Sequence, residues 1–87
     1  MRIIQTPDFI KVFDKLPREI KQLHEIQADR FLNNWRDPRL HVKKVKDLKL
    51  AFSFRITRRY RVFFYFQNRE TAIFFAVDHR RDAYRGI

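Results

Sequence analysis

The stretch from residue 52 to residue 77 decides most about what this chain can become. Phe52, Phe54 and Ile56 alternate with Ser53 and Arg55. Tyr60, Val62, Phe64 and Phe66 alternate with Arg61, Phe63 and Tyr65, and Thr71, Ile73, Phe75 and Val77 alternate with Ala72, Phe74 and Ala76. Aromatic and β-branched residues at a period of two read as strands. The run Gln67-Asn68-Arg69-Glu70 is a polar turn between the last two. Three strands in a meander with so apolar a face need a second layer to cover them.

The earlier residues supply that layer at helical period. Residues 2–5 suit a short first strand. Thr6-Pro7-Asp8 is a helix start: a capping hydroxyl, a proline at the first helical position, and an acid near the positive helix end. Phe9, Ile10, Phe13 and Leu16 then fall on one helical face, and Pro17 ends the element. A second helix runs from Arg18 to about Trp35, with Ile20, Leu23, Ala28, Phe31, Leu32 and Trp35 as its apolar set and Ile26 on the margin. The tight link predicts an antiparallel helix pair. Asp37-Pro38 breaks the second helix, and residues 39–49 read as a basic loop with little regular structure. The expected fold is α+β, in the order β-α-α-β-β-β, with two N-terminal helices packed on a small antiparallel sheet.

Eighty-seven residues make one domain, 1–87. The chain has no cysteine, which excludes disulfides and thiolate metal sites. Three scattered histidines without paired carboxylates at ligand spacing give no metal site. His24 and His41 show no partner spacing. Gly86 is the one glycine, so a glycine-rich phosphate loop is absent and dinucleotide binding is disfavoured. Neither metal nor small-molecule cofactor is expected. No apolar run suits a signal peptide or a membrane span, so the expectation is a soluble, cytoplasmic protein with no membrane partner.

The charge is one-sided. Lys and Arg total 20 against 10 acids, a net charge of +10. Residues 1–35 net only +1, and residues 36–87 carry fourteen basic groups and five acids. Such a bias points to a polyanion, or to an acidic protein that covers the charge.

Side-chain parity then gathers the arginines. If Ile56 pairs with Tyr60, Phe54 opposes Val62, Phe52 opposes Phe64, and Arg55 meets Arg61 on the other face; a one-residue slip would mix the faces. In the second hairpin, pairing Phe66 with Thr71 sets Phe64 on Ile73, Val62 on Phe75, Tyr60 on Val77 and Arg61 beside Ala76. Asp78, His79 and Arg80 then emerge near Arg59 and Arg61. Lys43, Lys44, Lys46 and Lys49 are expected to rim the same face. Like charges directly opposed cost up to about 1 kcal/mol, so two facing arginines call for a shared anion, and phosphate matches the guanidinium fork. The bland alternative is a surface network neutralised by Asp78, Asp82 or Glu70.

Phosphate clamps alone make a nucleic-acid binder. Cleaving RNA also needs a base for the 2′-hydroxyl, donors for the phosphorane and an acid for the leaving oxygen. The imidazole side chain has an intrinsic pKa near neutrality, and the register places His79 beside the arginines. Tyr84 can stack on a base or donate a proton, or simply anchor the tail. Arg55, Arg61 and Arg80 would stabilise the developing charge.

These residues resemble a known family. Phe54-Arg55-Ile56-Thr57-Arg58-Arg59-Tyr60-Arg61-Val62-Phe63-Phe64-Tyr65, followed by Val77-Asp78-His79-Arg80-Arg81-Asp82-Ala83-Tyr84-Arg85, is similar to the RelE/ParE toxin superfamily: an arginine strand, a turn, a Tyr-Arg strand start and a His-Arg-x-x-x-Tyr-like tail. Val42-Lys43-Lys44-Val45-Lys46-Asp47-Leu48 resembles the basic segment before that strand. The resemblance implies a type II toxin. RelE-like members cleave ribosome-bound mRNA without a metal and leave a cyclic phosphate, and an acidic antitoxin wraps them. By motif, Arg61 and Arg80 match the phosphate-stabilising arginines, Arg55 a catalytic lysine or arginine, and Tyr84 the tail tyrosine. Lys43, Lys44, Lys46, Lys49, Arg58, Arg59 and Arg81 would bind RNA. Arg59 replaces a common turn glycine or asparagine, Asp78 the glycine before His-Arg, and Ser53 a second lysine of RelE, so the general base stays open between His79 and a lysine. The expectation is an mRNA endonuclease with the ribosome, mRNA and an acidic antitoxin as partners. The alternatives are a ParE-like toxin acting on DNA gyrase and a plain nucleic-acid-binding module.

Overall fold

The computed structural model describes residues 1–79, and of His79 only the backbone. A short strand, β1 (Arg2–Gln5), leads into helix α1 (Pro7–Phe13). The Thr6 hydroxyl accepts the Phe9 N–H at 3.1 Å, Pro7 opens the helix and Asp8 sits in its first turn, as the sequence predicts. Helix α2 (Arg18–Asn33) begins after Pro17. It stops two residues before Trp35, because Asn34 turns extended and its side-chain carbonyl accepts the Arg36 N–H at 3.0 Å, a local bond that competes with another helical turn.

Residues 39–49 are more ordered than a plain loop. A 3-10 turn spans Pro38–Leu40, capped by Asp37, and Lys43–Lys44 form a two-residue strand, β2. Strands β3 (Ala51–Arg55), β4 (Tyr60–Asn68) and β5 (Thr71–His79) complete one sheet in the order β1-β5-β4-β3-β2. The sheet is mixed rather than purely antiparallel: β1 runs parallel to β5, from Arg2 against Thr71 to Gln5 against Phe74. Side-chain periodicity fixes which face a residue takes but not strand direction, so the parallel edge was invisible to it.

The first hairpin has the predicted register: Phe52 opposes Phe64, Phe54 opposes Val62 and Arg55 opposes Arg61, while the Ile56 N–H donates to the Tyr60 carbonyl at 2.9 Å. The second hairpin differs. Phe66 meets Ala72, Phe64 meets Phe74, Val62 meets Val77, Tyr60 meets His79, and Arg61 stands beside Asp78 instead of Ala76. Irregularities between Phe63 and Phe64 and between Phe66 and Asn68 shift the pairing. An extra residue reverses parity within a strand, so Phe74 and Val77 both turn toward the helices while Phe75 joins Phe63, Val45 and Ala51 on the outer face.

The core between helices and sheet is aromatic. Phe9, Phe31, Phe54, Phe64 and Phe74 are fully buried, with Phe31 edge-on to Phe64 at 4.9 Å and to Phe74 at 5.3 Å. Burying one such ring is worth about 1.5–3 kcal/mol. Helix α2 is rotated from its expected face. Its buried positions are His24, Gln27 and Phe31, whereas Leu23 and Leu32 are exposed. Two polar residues on the inward stripe hid its phase.

Candidate nucleic-acid interface

The β3–β4 end of the sheet holds the arginines. Arg55 closes β3, Arg61 lies directly opposite on β4, and Arg58 and Arg59 are exposed in the turn between them. The Arg59 N–H donates to the Thr57 hydroxyl at 3.2 Å, which shapes the turn without glycine.

Arg61 is 6% exposed. Its Nε donates to the Ser53 hydroxyl at 2.9 Å, and its Nη2 to the His41 carbonyl at 2.8 Å and the Ser53 carbonyl at 3.4 Å. His41 has left-handed backbone (φ 49°) where it offers that carbonyl. Arg61 therefore ties β4 to β3 and to the segment entering β2. On its other side Asp78 is its register neighbour on β5.

Arg55 is held differently. Gln27, buried on α2, donates through Nε2 to the Arg55 carbonyl at 2.6 Å and the Arg39 carbonyl at 3.0 Å, while its own carbonyl accepts from Arg30 at 2.9 Å. The Arg55 backbone is thus fixed from the helix layer. Its guanidinium Nε is buried and meets no acceptor among the described residues. A buried unsatisfied donor costs about 1–3 kcal/mol. Asp37 does not relieve it: its carboxylate is bound by Arg39 at 2.7 Å, and that bond holds the Asp37 carboxyl well below its ordinary range.

The lysines divide. Exposed Lys43 pairs in register with Ser53, the residue that holds Arg61, and Lys44 with Phe52. Lys46 and Lys49 are exposed in the loop before β3 and line, with Lys44 and Leu48, a separate hollow of about 410 Å³. Ala51, after that loop, is four residues from Arg55, about 13 Å at the rise of a strand. The structure does not bring Lys46 and Lys49 to the arginine pair. His79 ends β5 with its backbone opposite Tyr60. Arg80, Arg81 and Tyr84 lie outside the described residues. Among the described residues no cluster of His, Asp or Glu is arranged to hold a metal, and no helix is long and apolar enough to cross a membrane.

Sequence reasoning missed Gln27 and the His41 carbonyl. Gln27 had a signal, a glutamine at the inward spacing between His24 and Phe31; a backbone acceptor leaves none.

Comparison with known proteins agrees with this geometry. The model of the ParE toxin of type II toxin-antitoxin system, parDE, matches residues 3–84. Among solved structures the chain is similar to the RelB-RelE antitoxin-toxin complex from Methanococcus jannaschii, with TM-score 0.77 and 24% identity over 97% of this chain and 98% of that one. It is also similar to the YoeB/ParE toxin from Agrobacterium tumefaciens (TM-score 0.67, 18% identity, 91% and 98% covered). The intact E. coli RelBE toxin-antitoxin complex gives TM-score 0.70 at 12% identity, with 88% and 93% covered. Curated protein sequences give no match. With the family model spanning nearly its whole length and the RelE-like fold in place, the chain belongs to the ParE toxin family, a type II toxin–antitoxin toxin of the RelE/ParE superfamily.

Proposed function

We propose that this toxin is a metal-independent endoribonuclease that cleaves ribosome-bound mRNA at the β3–β4 end of its sheet, and that a cognate acidic antitoxin is its resting partner. The observation that carries the reading is the buried Arg55 Nε, which has no acceptor among the described residues, set directly across from buried Arg61. A phosphate oxygen satisfies that donor and relieves the opposition of two cations. The antitoxin partner is supported by the complexes from M. jannaschii and E. coli and by the net charge of +10.

In this reading Arg55 and Arg80 bind the non-bridging oxygens of the scissile phosphate. Arg61 holds Ser53 and His41 in place and adds positive potential behind them. A base, His79 or a neighbouring lysine, takes the 2′-hydroxyl proton. The 2′-oxygen bonds to phosphorus, the bond from phosphorus to the 5′-oxygen breaks, and an acid returns a proton to that oxygen, leaving a 2′,3′-cyclic phosphate and a 5′-hydroxyl. Tyr84 stacks on a base or donates that proton. Lys43, Lys44, Arg58, Arg59 and Arg81 hold flanking RNA, and Lys46 and Lys49 reach ribosomal RNA farther out.

The test is to induce the full chain, Arg55→Ala and Arg80→Ala, and to map 5′ ends of cellular mRNA. New ends in translated regions with the wild type and their loss in both variants is the expected result. The match to the ParE family favours one second reading, a toxin directed at DNA gyrase. Growth arrest with intact mRNA and inhibited supercoiling would establish that reading instead.

A further inference from the structure

The aromatic core does not close at the far end of β4. Phe31 and Phe64 are fully buried, but Trp35, Phe52 and Phe66, which continue the same stack, are only half-buried. Trp35 lies edge-to-face with Phe66 at 4.9 Å and with Phe52 at 5.5 Å. Because α2 ends at Asn33 and the chain turns toward Pro38–Leu40, a cavity of about 420 Å³ opens there, lined by Trp35, Phe66, Asn68 and Arg69. That volume falls within the range of small-molecule sites.

Its polar groups are of one kind. Beside the cavity, though not lining it, the Arg36 guanidinium lies over the Trp35 ring, 4.9 Å from its centre. Arg69 lines the cavity. The Asn68 side-chain carbonyl is occupied by the Glu70 N–H at 2.9 Å, which leaves the amide to the cavity as a donor. Among the described residues no carboxylate lines it. The fitting ligand is planar, rich in acceptors and anionic. An extended peptide fits poorly, because β4 is paired on both sides with β3 and β5 and offers no free backbone edge.

We propose that this cavity is a stacking subsite for a base of single-stranded nucleic acid, with Trp35 and Phe66 taking the base and Arg36 and Arg69 the adjoining phosphates. Aromatic faces and guanidinium planes are the groups on which unstacked bases settle. The subsite is remote from the arginine pair: Phe66 is five residues beyond Arg61 on β4, about 17 Å at strand rise, and faces the helix layer rather than the outer side. It rests on the reading that nucleic acid is a ligand of this chain, not on cleavage.

Trp35 is the one tryptophan of the chain, so its fluorescence reports this subsite alone. The experiment titrates the full chain with twelve-residue oligoadenylate, as RNA and as DNA, and with inorganic polyphosphate, which has charge but no bases. Saturable quenching by one or both oligonucleotides, absent with polyphosphate, is expected, and the stronger arm identifies the source. Arg69→Ala should lower the log–log salt slope by about one. Phe66→Leu, with its fold checked by thermal unfolding, should weaken the midpoint about ten-fold. Equal quenching by polyphosphate, no quenching, quenching by an acidic peptide instead, or full quenching affinity in both variants would overturn the subsite. Quenching without mRNA cleavage would sink only the nuclease reading, and cleavage without quenching only the subsite.

Discussion

Arg61 reaches diagonally across the sheet to Ser53, two residues before its direct neighbour Arg55, and so lies back along β3. Of two facing arginines, one serves as an internal tie and the other has a buried Nε–H that meets no acceptor among the described residues. Removing Arg61 should therefore harm the fold. Arg61→Ala leaves the His41 carbonyl and the Ser53 hydroxyl without their donor, and should lower stability by about 2–4 kcal/mol in urea unfolding. Arg61→Lys should recover only part of this, since an ammonium cannot span Ser53 and His41 as the fork does.

Arg55 should behave in the opposite way. Arg55→Met keeps the side chain's apolar stem and deletes a buried donor that has no acceptor among the described residues. Its unfolding free energy should stay within about 0.5 kcal/mol of wild type or rise. Its affinity for RNA should fall, and the log–log salt slope with it by about one. Parallel urea unfolding and salt-dependent RNA binding separate the two arginines. A large stability loss in Arg55→Met would show that the side chain is satisfied within the fold.

Gln27 makes a third case. It is buried, and its amide spans two carbonyls on segments far apart in sequence, at Arg39 and Arg55. Gln27→Leu fills the space but strands both carbonyls and the Arg30 guanidinium, and should cost about 2–3 kcal/mol. Amide exchange should quicken around residues 39–41 and 55 more than in β5. Uniform quickening through the sheet would show a general packing defect in place of a local clamp.

Much of this was readable from residues alone. The cap at Thr6, the first hairpin and the Arg55–Arg61 pair all follow from local chemistry plus parity, because apolar matching admits one register there. What escaped the sequence came from two physical sources. One was the second hairpin, where the turn is tighter than Phe66–Thr71 pairing implies: Asn68 pairs with Thr71, which sets Asp78, not Ala76, beside Arg61, while the extra residues Gln67 in β4 and Phe75 in β5 reverse parity without a glycine to mark them. The other was the inward placement of His24 and Gln27, where tertiary contacts outweigh polarity. The burial of Arg61 belongs with the second: it depends on a His41 backbone carbonyl that no side-chain pattern encodes.

His24 gives the pH dependence. It is 4% exposed, with Phe13 at 4.8 Å, Phe54 at 5.9 Å and Phe9 and Phe74 at 6.0 Å, and its Nδ1 has no partner among the described residues. Burial among these rings pushes its pKa from 6.5 down to about 4. The folded state therefore refuses a proton that the unfolded chain accepts. The stabilising advantage is complete above pH 6.5, declines as pH falls from there toward 4, and is level below it. Across that window the loss from this residue should total about 3 kcal/mol. His24→Phe puts an apolar ring in an aromatic cage and should flatten the profile between pH 6.5 and 4, leaving only the carboxylate losses at lower pH. Urea unfolding at half-unit pH intervals measures it, and an identical slope in both proteins would place the pH sensitivity elsewhere.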